Sequence, residues 1–315
     1  MFQADCNPTL RAPVTVPNMK LTASLSDQRR RPLRLDRFAS VYAGRPIARL
    51  FRGSDGHGMP ILMYHSVHAG SAKGHPYYDT NTSPDVFRLQ MRYLKDHGYQ
   101  ALDLETAIPA LLAGGTANNF VVITFDDGFR DFYTNAYPIL EECGFVATVF
   151  VVSGFTADDR LALNGNECLT WAEVRELHAA GVRIGSHTVS HPRLRRLTMA
   201  GLHDEVGTSK RTLEDKLGDS VTTFSYPFAF PETDEAFTRR LKHALEEHGY
   251  RAGVTTVIGT AAQSDDRMIL PRLPVNSWDD LDLFRAKLEG GYDWLHPIQY
   301  AHKLVKREAH YDPAV

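Results

Sequence analysis

Phe120-Val121-Val122-Ile123-Thr124-Phe125-Asp126-Asp127-Gly128 runs from six β-branched or aromatic residues straight into two carboxylates and a glycine. Such side chains suit a strand, and a run without polar alternation suits one buried on both faces. Strands of that kind belong to parallel sheets covered by helices, and ligands bind at the carboxyl ends of their strands. Neighbouring residues on a strand point to opposite faces, so Asp126 and Asp127 can share a site only if the chain bends, which Gly128 permits. Two close carboxylates repel. A cation held by one removes that cost and leaves the other available as a base. A solvated Asp-Asp-Gly turn is the plain alternative.

Outward from this stretch, short apolar runs alternate with longer amphipathic ones. Ile61-Leu62-Met63-Tyr64 reads as a buried strand, and residues 147–152, 182–185, 222–226 and 252–256 read as further strands. Between them lie helical stretches. Ser83-Pro84 supplies an N-cap and a first-turn proline before Phe87, Met91 and Leu94, and Gly98 stands where a terminating glycine belongs. Thr170 with Glu173 forms a capping box for a helix closed by Gly181, and residues 199–217 and 237–248 are also helical in pattern. The repeated order predicts an α/β fold on a parallel sheet, open or closed into a barrel.

Ser186-His187-Thr188-Val189-Ser190-His191 follows the strand that ends at Gly185. Histidines at i and i+4 share a face of a helical turn and can grip one metal ion; Pro192 limits this turn to a short loop. With 14 histidines in the chain, a chance spacing is the alternative. Two such features after separate strands point to an Asp-His-His site with an open coordination position, the arrangement of catalytic rather than structural zinc.

Thr124-Phe125-Asp126-Asp127-Gly128, Leu169-Thr170-Trp171 and Ser186-His187-x-x-x-His191-Pro192, in that order, resemble the polysaccharide deacetylase family (carbohydrate esterase family 4, the NodB-homology domain) across residues 58–280. The resemblance implies a distorted (β/α)7 barrel and a divalent metal, zinc foremost, with cobalt, nickel or iron(II) also suited to the ligands. It implies Asp127, His187 and His191 as metal ligands, Asp126 as general base, and hydrolysis of an N-acetyl, occasionally O-acetyl, group from a sugar. Tyr226, Phe228 and Trp171 become candidates for binding sugar or oxyanion. A small-molecule amidohydrolase, an O-acetyl esterase and a non-catalytic carbohydrate-binding module are the competing readings.

Two motifs depart from the common pattern. Many members carry R-x-P-Y, with an arginine that orients the base; here Phe224-Ser225-Tyr226-Pro227-Phe228 puts Ser225 and Phe228 at the Arg and Tyr positions. Phe228 can still offer a backbone N–H. Arg272, in Pro271-Arg272-Leu273-Pro274-Val275, is the candidate replacement able to pair with Asp126, a surface arginine in a loop being the alternative. Many members also end in a Leu-x-His strand that supplies the general acid. Leu295-His296 lies in no strand-like run, whereas Ile61-Leu62-Met63-Tyr64-His65 is a strand ending in histidine. This resembles the circularly permuted poly-N-acetylglucosamine deacetylase branch and makes His65 the expected acid.

Of the 315 residues, 43% are hydrophobic and 23% charged, which excludes a disordered chain. Three cysteines without C-x-x-C spacing exclude a disulfide scaffold and a cysteine zinc site. No apolar run reaches membrane-spanning length, and the net charge of −3 carries no nucleic-acid signature. Oligomeric state is not legible. Residues 1–54 hold nine Arg and one Lys against three Asp, a surplus of seven. They lack the apolar core of a secretory signal, so a cytoplasmic location is expected. The expected division is a basic, irregular extension over 1–54, a catalytic domain over 55–300 and a tail over 301–315. Peripheral association of Leu35, Phe38 and Tyr42 with an anionic membrane is the alternative to a solvated extension.

Overall fold

The computed structural model describes residues 34–50, 58–70, 76–77, 79–113 and 119–309. In chain order the elements are α1 (Leu35–Ala39), α2 (Arg45–Leu50), β1 (Ile61–Tyr64), β2 (Ser66–Val67), β3 (Asn81–Thr82), α3 (Pro84–Asp96), β4 (Gln100–Leu102), α4 (Leu104–Leu112), β5 (Phe120–Phe125), α5 (Tyr137–Cys143), β6 (Thr148–Val151), β7 (Ala162–Leu163), β8 (Asn166–Glu167), α6 (Trp171–Ala179), β9 (Arg183–Ser186), α7 (Met199–Leu217), β10 (Thr223–Ser225), α8 (Glu235–Glu247), β11 (Ala252–Ile258), β12 (Leu270–Pro274), α9 (Leu281–Leu288) and α10 (Leu295–Ala309).

Seven strands close a parallel barrel in the order β1-β12-β11-β10-β9-β6-β5 and back to β1. Closure comes from β1, which pairs with β5 (Leu62↔Ile123) and with β12 (Leu62↔Leu273). The barrel is distorted at β5. Its first half hydrogen-bonds β4 (Gln100↔Phe120), and only its last residues pair with β6 (Thr124↔Thr148). The expected (β/α)7 barrel is therefore the observed one, with β4 wedged against it as an eighth strand. β12 was not legible as a strand: Pro271 and Pro274 remove ladder donors, which argues against a central strand. It pairs nevertheless, and it carries Arg272 inside the barrel.

Strand alternation sorts the residues into two layers. Leu62, Tyr64, Val121, Ile123, Val149, Val151 and Phe224 join the cluster packed under the helices. Ile61, Val122, Phe150, Val254 and Leu270, one register away, form a second cluster and line the opposite, inward face. Continuing along the strands at the same parity, Ile61 and Val122 lead four residues on to His65 and Asp126, Leu270 leads two residues on to Arg272, and Gly185 and Thr223 likewise lead to His187 and Ser225, all above this apolar floor. Gly185 has to be glycine, because a Cβ there would meet the Phe150 ring at 2.5 Å and Thr223 Oγ1 at 2.7 Å.

The N-terminal expectation needs correction. From Leu35 to Leu50 the chain is not irregular but helical, α1 and α2 being joined by a wider turn over Ser40–Gly44 just ahead of Pro46. The body accordingly begins at Arg34. At the other end, the segment expected as a tail from 301 continues α10 to Ala309, and Lys303 Nζ lies 2.7 Å from Glu232 Oε1.

Candidate active site

Asp126 and Asp127 leave the end of β5 in opposite directions, and the bend that reunites them starts one residue earlier than expected. Asp127 itself adopts a left-handed backbone (φ 69°), followed by Gly128 (φ 64°). Aspartate tolerates that region better than most residues, at some cost in strain. The Leu169-Thr170-Trp171 motif pins the bend: Leu169 N–H donates to the Gly128 carbonyl at 2.9 Å, and Cys168 bridges Phe129. Below it, Thr170 and Glu173 complete the capping box, and Arg160 grips the Glu173 carboxylate at 2.6 and 2.9 Å.

The histidine loop differs from the expected helical turn. Thr188 (φ 70°) and His191 (φ 56°) are left-handed, and His191 N–H donates to Thr188 Oγ1. Glu205 on α7 holds the loop from behind, accepting from Val189 N–H (2.8 Å), Ser190 N–H (2.9 Å) and Ser190 Oγ (2.6 Å). The two imidazoles still converge. Asp127 Oδ1 lies 3.4 Å from His187 Nε2 and 3.3 Å from His191 Nε2. Among the described residues these three form the one group whose donors could hold a metal ion.

The donor set fits a divalent cation. His187 Nδ1 lies 2.8 Å from the Ser225 carbonyl, which can only accept, so Nδ1 carries the proton and Nε2 is left facing Asp127. Burial and the neighbouring His187 push His191 down to about 4, which keeps its imidazole neutral near pH 7. Burial would raise Asp127, but the His187 hydrogen bond and the nearby imidazoles hold it below the usual carboxylate value.

Asp126 is buried beside this triad and does not join it. Arg272 clamps it from β12, Nη1 to Oδ1 at 2.8 Å and Nη2 to Oδ2 at 2.6 Å. The remaining guanidinium donors go to Thr255 O, Thr124 Oγ1 and Ser225 Oγ, so all five N–H groups are used. Burial alone would push the Asp126 carboxyl up; the Arg272 charge outweighs it and holds the group well below the carboxylate range. Ser225 was the unread partner. It touches both members of the pair and orients His187, and its only trace in the sequence is that it occupies the motif's arginine position. His65 Nε2 stands 3.9 Å from Asp126 Oδ2. His296 instead lies on α10 with its Nε2 on Glu232 at 2.9 Å.

A family model described as polysaccharide deacetylase matches residues 113–253. A Bacillus subtilis (strain 168) protein named "Putative polysaccharide deacetylase YxkH" is 31% identical over 232 residues, covering 73% of this chain and 76% of that protein. The chain belongs to the polysaccharide deacetylase family. The deacetylase also superposes on the Streptococcus pyogenes deacetylase PplD, solved with acetate, at 29% identity and a TM-score of 0.61, over 70% of this chain and 93% of that one. IcaB from Ammonifex degensii shares the fold, with 23% identity, a TM-score of 0.62 and coverage of 74% and 98%. A Staphylococcus aureus (strain MRSA252) protein named poly-β-1,6-N-acetyl-D-glucosamine N-deacetylase is 23% identical over 192 residues, 55% of this chain and 66% of that protein. His65 and Arg272 both lie outside the span of the family model.

Two candidate binding residues of the deacetylase do not reach the site. Tyr226 is buried against Phe230 and Phe237, and its N–H is spent on the Val254 carbonyl. Trp171 is buried in the helical layer at the start of α6, with Lys216 over its ring. Both follow apolar packing rather than sugar stacking. Phe228 is different. It is 40% exposed, left-handed (φ 61°), 4.5 Å from the His191 ring, and its N–H finds no acceptor among the described residues.

Proposed function

We propose that this polysaccharide deacetylase removes N-acetyl groups from an N-acetylhexosamine-containing polysaccharide or glycan precursor. Asp127, His187 and His191 would hold the divalent cation, zinc by preference for two imidazoles and one carboxylate. The observation that carries the reading is that Asp126 and His65 stand 3.9 Å apart beside that triad. When bound there, the cation supplies Lewis acidity to the acetyl carbonyl and to water. Asp126 takes the proton of the attacking water, with Arg272 and Ser225 fixing its carboxylate. The C–N bond breaks as His65 delivers a proton to the departing nitrogen, since a neutral amide leaves poorly as an anion. Acetate and a free amine result. The Phe228 N–H would donate to the developing oxyanion.

One observation favours a second reading of the proton path. Both Asp126 oxygens already accept from Arg272, which lowers their basicity. His65 could then carry both transfers, with Asp126 orienting its ring.

Acetate release from N-acetylglucosamine oligomers, measured with and without chelator, tests the function. Activity that chelation abolishes and zinc restores supports it. Full turnover by metal-stripped protein, or hydrolysis confined to O-acetyl esters or small cyclic amides, would replace it; binding of oligomers without any turnover would favour a carbohydrate-binding module.

A further inference from the structure

The helical segment 35–50 is amphipathic in an inverted sense: its polar side docks on the protein and its apolar side faces solvent. On the docked side, buried Asp36 accepts from Tyr292 and Tyr77 at 3.0 Å, and Arg37 reaches Asp280 at 2.6 Å. Trp294 Nε1 donates to the buried Ser40 hydroxyl at 2.9 Å, and Arg45 pairs with Glu289 at 2.7 Å. Gly44 packs so closely on Gly291 that a Cβ would meet its carbonyl at 2.3 Å. The exposed residues are Leu35, Phe38, Tyr42, Ala43, Pro46, Ile47, Arg49 and Leu50, seven of eight without charge and none acidic. The five large ones are 51–83% exposed.

An apolar face held rigidly outward by ion pairs marks an interaction surface rather than a folding remnant. Its one charged residue, Arg49, is a cation that also reaches Glu289 at 2.8 Å, and the sequence on either side adds Arg29-Arg30-Arg31 and Arg52. That combination of an apolar stripe, interfacial aromatics and flanking arginines fits a lipid–water interface with anionic headgroups. The sixteen residues give a stripe about 24 Å long, suited to lying in the interface. No helix among the described residues is long and apolar enough to cross a membrane. We infer that residues 35–50 dock the enzyme on an anionic membrane surface, with Leu35, Phe38, Tyr42, Ile47 and Leu50 entering the acyl boundary and the barrel held at the headgroup level.

Cosedimentation of the full chain with phosphatidylcholine vesicles, with and without phosphatidylglycerol, tests this. The full chain is expected to pellet with the anionic vesicles and to remain in the supernatant with neutral ones. The double variant Phe38→Ser/Ile47→Ser is expected to partition about tenfold less or weaker still, at unchanged thermal stability and unchanged acetate release from soluble oligomers. No pelleting of the wild type, equal pelleting by the variant, or equal binding to neutral vesicles overturns the proposal. So does a dimer in sedimentation velocity that the double variant loses, since a second copy would then cover the face.

Discussion

Arg272 and Asp126 form a bidentate ion pair inside the barrel, at 2.8 and 2.6 Å, with both side chains almost fully withdrawn from solvent. The pair joins β12 to the end of β5, which bears Asp126 and Asp127. Removing one partner strands a buried charge, which costs about 3–5 kcal/mol. Arg272→Ala should lower stability by that order in urea denaturation. Arg272→Leu combined with Asp126→Leu should recover part of the loss, because two apolar groups leave no orphan charge.

Asp126→Asn keeps the shape of the carboxylate and leaves Asp127, His187 and His191 in place. Cation content by elemental analysis should be unchanged, while acetate release falls about 10²–10⁴-fold. A variant that loses its cation as well would place Asp126 among the ligands.

The general acid can be separated from bystander histidines by leaving group. His65→Ala should slow amide hydrolysis about 10²–10⁴-fold and slow an activated aryl acetate far less, since a good leaving group needs no proton. His296→Ala, which loses contacts with Glu232 and Tyr300 on α10's side of the molecule, should be kinetically silent.

Glu205 accepts from the backbone N–H groups of Val189 and Ser190, between His187 and His191. Glu205→Ala should weaken cation retention about 10–100-fold in a chelator competition, with Glu205→Gln intermediate because its amide oxygen can still accept. Equal affinity in all three proteins would reduce Glu205 to a packing role.

Glu289 anchors the N-terminal helical segment. Burial would raise its carboxyl, but hydrogen bonds from Arg45, Arg49 and Arg285 outweigh that and hold it at about 2, against an ordinary 4.5. A depressed folded-state value means that its contribution to stability is complete above about pH 4.5 and is lost as pH falls toward 2. Thermal denaturation should show that slope in the wild type and a flatter one in Glu289→Gln, whose stability near pH 7 is lower.

The elements bearing Asp126, Asp127 and His65 were legible because each follows an apolar run typical of a parallel strand, and those bearing His187 and His191 because they follow the short strand-like stretch Val182-Arg183-Ile184-Gly185. The segment Leu270–Pro274 was not, since its two prolines contradict strand pairing when read locally. Tyr226 and Trp171 were read as site residues because a motif names residue types and not the direction in which a side chain points. Their burial depends on which helices pack over them.

The order of residues along the chain determined the barrel, its histidine pair and its paired carboxylates, because strand periodicity and chemical type are local properties. Which arginine meets Asp126, which carbonyl orients His187 and which side of residues 35–50 faces water were decided only in three dimensions. Arg272 lies 146 residues from Asp126, and Ser225 and Glu205 come from other strands and helices. Contacts over such separations depend on how the barrel closes, which no single segment encodes.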